Sequence, residues 1–158
     1  MITQTNNHMQ TEIRNEWIYQ QPPNEVWKYL TEAELMALWL MPNNFKPIAG
    51  HEFQFTTKPI PSLDLDGIMH CKVLEIVDFR KLVYTWKGGP GNGEFTLDTI
   101  VEWTLEKHGR SGTKLMLRQS GFNEVNHSIF TGMTSGWQSN IQKMINHLNA
   151  NYHDTTNA

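Results

Sequence analysis

Histidine and cysteine are the residues of this 158-residue sequence that could most readily ligate a metal ion or act as a nucleophile. The seven histidines show no pair at metal-ligand spacing: His8, His51, His70, His108, His127, His147 and His153. Cys71 shares strand parity with Met69 and Val73, which favours a buried, inert thiol. His70 precedes it, and neighbours on a strand point to opposite faces, so the two form no local pair. Because HExxH, Gly-x-Ser-x-Gly and phosphate-loop motifs are also absent, the sequence predicts no catalytic set, no metal and no cofactor.

The aromatic residues indicate more about a functional site than the histidines and Cys71 do. Each one alone is explained by core packing, but together, with a few polar tips, they are typical of an apolar ligand pocket. We select as candidates to line such a cavity Trp39, Phe53, Phe55, Tyr84, Trp86, Trp103, Leu117, Gln119, Met133, Gly136 and Trp137.

Two glycines interrupt the predicted C-terminal helix one turn apart, at Gly132 and Gly136, directly before Trp137. Each costs a helix roughly 1 kcal/mol relative to alanine. The missing side chains either let a neighbouring element approach the helix backbone closely or leave a volume that a ligand can fill. The sequence does not decide between these two interpretations.

The predicted elements that must position these residues have a regular order. A strand over residues 13–19 alternates apolar and polar residues and precedes two short helices within residues 22–40. Pro22 and Pro23 suit the first helical turn, and Thr31 with Glu34 has capping-box spacing for the second helix. Apolar periodicity predicts a long helix over about residues 126–149. Between the helices lie predicted strands at 51–57, 67–78, 81–87, 97–107 and 113–120.

This order predicts an α+β fold in which a twisted antiparallel sheet of about six to seven strands wraps around the C-terminal helix. We expect one domain over residues 12–150, with flexible tails at 1–11 and 151–158. In the strand that follows residue 67, periodicity leaves open which face is concave, because Leu74 and Ile76 share the parity of His70. Glu75 is expected to pair with Arg80 or Lys81 across the turn.

Composition excludes several classes of protein. The net charge is −3 and no basic run exceeds two residues, which argues against nucleic-acid binding and against attachment to an anionic membrane. No window approaches the ~20 apolar residues of a membrane-spanning helix, so we expect no membrane insertion. A single cysteine allows no intrachain disulfide and favours the cytoplasm.

Several segments, taken in order, resemble one superfamily. They are PPNEVWKYLTEAELMALWLMP, GIMHCKVLEIVDFRKLVYTWKGG, TIVEWTLEKHGRSGTKLMLRQSGF and GWQSNIQKMINHL. Together they cover about residues 12–150 and are similar to the START-like (SRPBCC, helix-grip) superfamily, in particular its AHSA-type branch, related to the C-terminal domain of the activator of heat-shock protein 90 ATPase. Gln119 departs from the pattern, since many relatives have histidine before the Ser-Gly.

The resemblance implies a cavity between sheet and C-terminal helix that holds a lipid, sterol, polyketide or flavonoid-like aromatic molecule. The leading hypothesis is a non-catalytic carrier or sensor of such a small hydrophobic ligand. The same resemblance leaves two alternative functions open. One is an enzyme of the cyclase or dehydratase type, and the other is a module that binds a heat-shock chaperone in a stress response.

Overall fold

The computed structural model describes residues 11–151, so the predicted flexible tails lie almost wholly outside the described residues. Six strands and three helices follow the predicted order. The strands are β1 (Glu12–Tyr19), β2 (Glu52–Thr56), β3 (Ile68–Val77), β4 (Lys81–Gly88), β5 (Leu97–His108) and β6 (Gly112–Ser120). The helices are α1 (Pro23–Thr31), α2 (Ala33–Trp39) and α3 (His127–Asn151). Short 3-10 turns lie at Pro61–Leu63 and Glu124–Asn126.

The strands form one antiparallel sheet in the order β1-β6-β5-β4-β3-β2. Strands β2 to β6 run as a meander, and β1 closes the other edge against β6. The register places Tyr84 opposite Val101 and Trp103 opposite Leu117. All four side chains are buried. The predicted helix-grip α+β architecture is confirmed.

The limits of the two short helices are explained by the prolines at the start of α1 and by the residues at the junction between α1 and α2. Pro22 is the N-cap of α1 and Pro23 opens its first turn, as predicted. The predicted capping box of the second helix is wrong. Thr31 is the last residue of α1 and its hydroxyl donates to the Trp27 carbonyl at 2.8 Å, while Glu32 is the N-cap of α2 without a side-chain bond. A Thr inside a helix can satisfy its hydroxyl on the preceding turn, which spacing alone does not reveal.

Strand β3 changes its inward face partway along. Met69, Cys71 and Val73 are buried, and the register then shifts between Val73 and Glu75. After this irregularity Ile76 packs against the core, while Leu74 is 46% exposed. A bulge inserts one residue and reverses parity, which is why periodicity left the concave face undecided. Glu75 forms the expected ion pair with Lys81, at 3.2 Å.

The second half of α3 is packed closely against the sheet edge and the short helices. Ile141, Met144 and Leu148 are at most 1% exposed. The Tyr19 hydroxyl of β1 donates to the Met144 sulfur at 3.3 Å, and the Gln21 amide donates to Asn149 Oδ1 at 2.8 Å. This half of the helix therefore anchors α3 to the sheet and to the short helices.

Candidate functional site

A cavity of about 270 Å³ lies between the first half of α3 and the concave face of the sheet. One wall is helical and comprises Ile129, Gly132, Met133, Gly136, Trp137 and Asn140. The strands contribute Met69, Trp86 and Leu97. The rest comes from the end of α2 and the loop after β2, with Leu40, Met41, Thr57, Ile60, Leu63 and Leu65. The volume lies just below the ~300–1,000 Å³ that ligand pockets usually span.

The two glycines of α3 explain why this space exists. A Cβ atom placed on Gly132 or Gly136 would meet no heavy atom within 4 Å beyond the neighbouring helix backbone. The interpretation that these glycines allow close backbone packing is therefore wrong. Their absent side chains widen the cavity, and Trp137 on the following position closes one side of it.

The loop over residues 57–67 forms the outer wall of the cavity. Its ends are tied by the Thr57 amide, which donates to the Gly67 carbonyl at 2.8 Å, and Ile60 and Leu65 exchange two backbone bonds at 2.9 and 3.2 Å. Gly67 has a φ of +93°, and a Cβ atom there would collide with the Thr57 carbonyl. The backbone thus holds three apolar side chains, Ile60, Leu63 and Leu65, toward the cavity. The loop therefore borders the cavity.

Ten of the eleven selected candidate residues separate into two groups, and Gln119 lies between them. Trp86, Met133, Gly136 and Trp137 line the cavity. Trp39, Phe53, Phe55, Tyr84, Trp103 and Leu117 are each at most 2% exposed and belong to the core beyond the cavity wall. The ligand-binding role of the first group stays a prediction.

Gln119 joins the cavity wall to the sheet. Its Oε1 accepts from Trp137 Nε1 at 2.9 Å, and its Nε2 donates to the Thr99 hydroxyl at 3.0 Å. Thr99 in turn donates to the Trp86 carbonyl at 2.8 Å. Gln119 is fully buried, and this chain of bonds satisfies both ends of its amide. Its role is to fix Trp137 against the sheet from behind the wall.

The core aromatics support the wall through edge-to-face packing. Trp103 packs against Trp39 and Trp137, with ring centroids 6.0 and 5.4 Å apart. Trp103 Nε1 donates to the Tyr84 hydroxyl at 3.0 Å. Burial raises the pKa of the Tyr84 phenol far above its ordinary value, so that it stays neutral at any physiological pH. Tyr84 is thus a structural hydrogen-bond acceptor.

The cavity is poor in groups that could move protons. None of the described residues that line it has an ionisable side chain. Cys71 is buried, as predicted, and burial raises the pKa of its thiol. Within residues 11–151 no three His, Cys, Asp or Glu side chains are grouped to hold a metal ion. Nor does any helix of that range have the length and apolar character of a membrane crossing.

Sequence reasoning missed most of the outer wall. Ile60, Leu63 and Leu65 are apolar residues in an otherwise polar, proline-containing loop, and that contrast was an available signal. On α3, Ile129 and Asn140 continue the glycine-bearing face at helical spacing. Leu97 and Met69 could not be distinguished from core residues, because both kinds of position are apolar and inward.

A second depression, of about 550 Å³, lies on the outer face of β1, β6 and β5. It contains charges of both signs, including Arg14, Glu16, Glu102 and Arg118. Two of these already pair across strands, Arg118 with Glu12 at 3.2 Å and Glu16 with Lys114 at 3.4 Å. Exposed pairs of this kind are typical of a solvated sheet face.

Comparison with known proteins agrees with this architecture. The family described as Activator of Hsp90 ATPase homolog 1-like protein matches residues 20–149. The crystal structure of protein MLL2253 from Mesorhizobium loti is 30% identical, with a TM-score of 0.79, and the match covers 90% of this chain and 99% of that one. CalU16 from Micromonospora echinospora shares the fold at 20% identity and a TM-score of 0.66, over 84% of this chain and 73% of its own. DynU16, a protein of the dynemicin biosynthetic locus, shares the fold at 18% identity and a TM-score of 0.69, and the match covers 89% of this chain and 48% of that one. No curated protein matches the sequence significantly.

Proposed function

The chain belongs to the Activator of Hsp90 ATPase homolog 1-like family, and we propose that it is a non-catalytic carrier or sensor that binds a compact, neutral, largely apolar molecule in the cavity under α3. The observation that carries the proposal is the open volume beside Gly132 and Gly136. Two helix positions there have no side chain, and nothing else in the described residues fills the space.

The lining supports an apolar ligand. Leu65, Met69 and Leu97 are at most 6% exposed and surround the inner end, together with the rings of Trp86 and Trp137. Burial of an apolar molecule against such walls yields roughly 25 cal/mol per Å² of surface removed from water. Met133 and Met41 add adaptable surface near the mouth.

The size of the cavity narrows the class of ligand. A volume of about 270 Å³ favours a compact aromatic or a small polyketide-like molecule over a sterol or a long-chain lipid. The absence of charge on the described walls disfavours an ionised ligand, since a charge buried without a partner is costly.

The same lining favours binding over catalysis. A cyclase or dehydratase needs a group that gives or takes a proton next to the substrate. The described walls offer none that titrates, and Tyr84 lies behind them with its phenol held neutral. The chaperone alternative rests on the family description alone. The lone cysteine, which allows no intrachain disulfide, supports a reducing compartment such as the cytoplasm.

Titration of the whole chain with neutral compounds of increasing size tests this function. The set is indane, flavone, 1-decanol and cholesterol, with tryptophan emission and amide NMR signals as readouts. We expect the compact aromatic compounds to bind most tightly and to shift signals of Trp86 and Trp137. If none of the four changes either readout, the proposal is wrong.

A variant pair locates the site. Gly136→Leu fills the open space and should abolish binding, whereas Ser139→Leu adds the same side chain on an exposed position of the same helix and should not. Equal affinity in both variants would place the binding outside this cavity and contradict the proposal.

A further inference from the structure

Trp86 is an exception among the four tryptophans of the core that are at most 2% exposed. It is 2% exposed, and its Nε1 has no hydrogen-bond partner among the described residues. The other three fully buried indoles each donate: Trp39 to the Tyr29 carbonyl at 2.8 Å, Trp103 to the Tyr84 hydroxyl at 3.0 Å and Trp137 to Gln119 at 2.9 Å. A buried donor that stays unpaired loses its hydration without compensation, so this one needs an explanation.

The position of Trp86 supplies one. Its indole lies on the cavity wall between Phe55 and Trp137, with ring centroids 5.1 and 5.6 Å away. Nε1 itself is buried, so donation to an acceptor in the cavity requires the indole ring to turn toward it. Besides the two indoles, Thr57 and Asn140 are the polar side chains on the described walls, and neither forms a hydrogen bond with Trp86 Nε1, so a molecule inside the cavity could supply the acceptor.

We propose that the ligand carries an uncharged hydrogen-bond acceptor, a carbonyl or ether oxygen, at its inner end, and that Trp86 Nε1 donates to it. This inference rests on the proposed function and makes it more specific. Trp86 then selects a ketone- or ether-bearing ring over the bare hydrocarbon. It also selects against a carboxylate, because no cationic side chain on the described walls could compensate a buried negative charge.

Three matched compounds test this selection: indane, 1-indanone and indane-1-carboxylate. They share one ring system and differ in the oxygen. In the unaltered chain we expect 1-indanone to bind at least as tightly as indane, and the carboxylate to bind most weakly. Trp86→Phe keeps an aromatic ring and removes the donor. The ratio of the 1-indanone to the indane dissociation constant should then rise roughly threefold to tenfold, the usual worth of one hydrogen bond.

A measurement on the unaltered chain keeps the proposal testable if Trp86→Phe does not fold. In ¹H–¹⁵N spectra, the Trp86 indole proton should move downfield with 1-indanone and much less with indane. The Trp137 indole already donates to Gln119, so its signal should respond alike to both compounds.

The two proposals fail differently. If neither indane nor 1-indanone binds, the cavity function itself is wrong, and the role of Trp86 falls with it. If both bind and their ratio is unchanged in Trp86→Phe, or if the Trp86 proton responds alike to both, only the donor role is overturned.

Discussion

The two halves of α3 face the same sheet but meet it differently. From Ile141 onward, large apolar side chains fill the space to β1 and the short helices, and Ile141, Met144 and Leu148 are at most 1% exposed. Before that point, Gly132 and Gly136 leave the helix without side chains, and a cavity of about 270 Å³ lies beneath it. One continuous helix thus has a closed half that supplies stability and an open half that supplies space.

The difference shows how a small domain can keep a cavity. Each glycine costs roughly 1 kcal/mol of helix propensity, and an unfilled cavity forfeits packing contacts. The closed half offsets these costs, since burial of a side chain such as Met144 contributes about 1.5–3 kcal/mol. Stability and binding are therefore assigned to different turns of one helix, and substitutions should separate them.

The largest effect is expected in the closed half. Met144→Ala should lower the free energy of unfolding by about 2–5 kcal/mol, because it leaves a void in close packing and removes the sulfur that Tyr19 contacts. Met133→Ala, the same change on the partly exposed cavity wall, should cost about half of that or less. Urea unfolding of both variants measures the contrast, and equal losses would contradict a division of the helix into two halves.

A smaller loss is expected where the sheet holds the open half in place. Gln119→Leu leaves the buried Trp137 indole without its acceptor and should cost about 1–3 kcal/mol. Gln138 provides a matched control, since it accepts from the Trp17 indole at 3.1 Å on the surface. Gln138→Leu should change stability by no more than about 0.5 kcal/mol. Comparable effects in thermal unfolding would mean that Gln119 does not anchor the wall.

Alkaline pH should weaken both halves. Burial raises the pKa of Tyr19 under the closed half and of Tyr84 under the open half, so both stay protonated in the folded chain at pH values where the unfolded chain loses those protons. Stability is then fully present below the unfolded pKa of tyrosine, about 10, and falls above it by up to about 1.4 kcal/mol per pH unit for each group. Cys71 adds the same sign of dependence from about pH 9.

Tyr19→Phe measures how much of the loss of stability at alkaline pH comes from Tyr19, under the closed half. Between pH 10 and 11 its free energy of unfolding should fall less steeply than that of the unaltered chain, by about the amount for one group. An unchanged slope would show that Tyr19 ionises as readily in the folded chain as in the unfolded one.

The smallest change in stability, and of opposite sign, is expected in the open half. Gly136→Leu improves helix propensity by up to about 1 kcal/mol and adds contacts in open space, so the unfolding midpoint should hold or rise. Gly112→Ala is the contrasting glycine, because a Cβ atom there would meet the backbone carbonyl of His108 at 2.9 Å and that of Tyr19 still closer. That variant should lose stability. A lowered midpoint for Gly136→Leu would show that its surroundings are closed after all.

Much of this fold follows from local pattern. Alternation along β1 and the prolines before α1 determine those elements, and the spacing of Ile141, Met144 and Leu148 determines the closed face of α3. Sequence could not reveal the bulge after Val73, since a single inserted residue changes parity without changing composition.

The division of the candidate residues between core and cavity was also beyond sequence. Trp103 and Trp86 are both inward aromatic residues on neighbouring strands, yet only Trp86 reaches the cavity wall. Which of them has open space beside it depends on how far α3 stands from the sheet, and that distance is set by long-range packing. Gly132 and Gly136 indicated where the cavity lies, but in the sequence they are compatible with both close backbone packing and open space. The positions of the surrounding atoms decide between these two explanations.

Methionine methyl groups give the most direct test of the central claim, that the space under the open half of α3 binds an apolar molecule. Met69 and Met133 line the cavity, whereas Met36 and Met144 are buried elsewhere and are at most 1% exposed. In the ¹³C-methyl spectrum of methionine-labelled protein, saturating indane should shift the signals of Met69 and Met133 and leave those of Met36 and Met144 in place. Unshifted signals at Met69 and Met133, or equal shifts at all four, would contradict the claim.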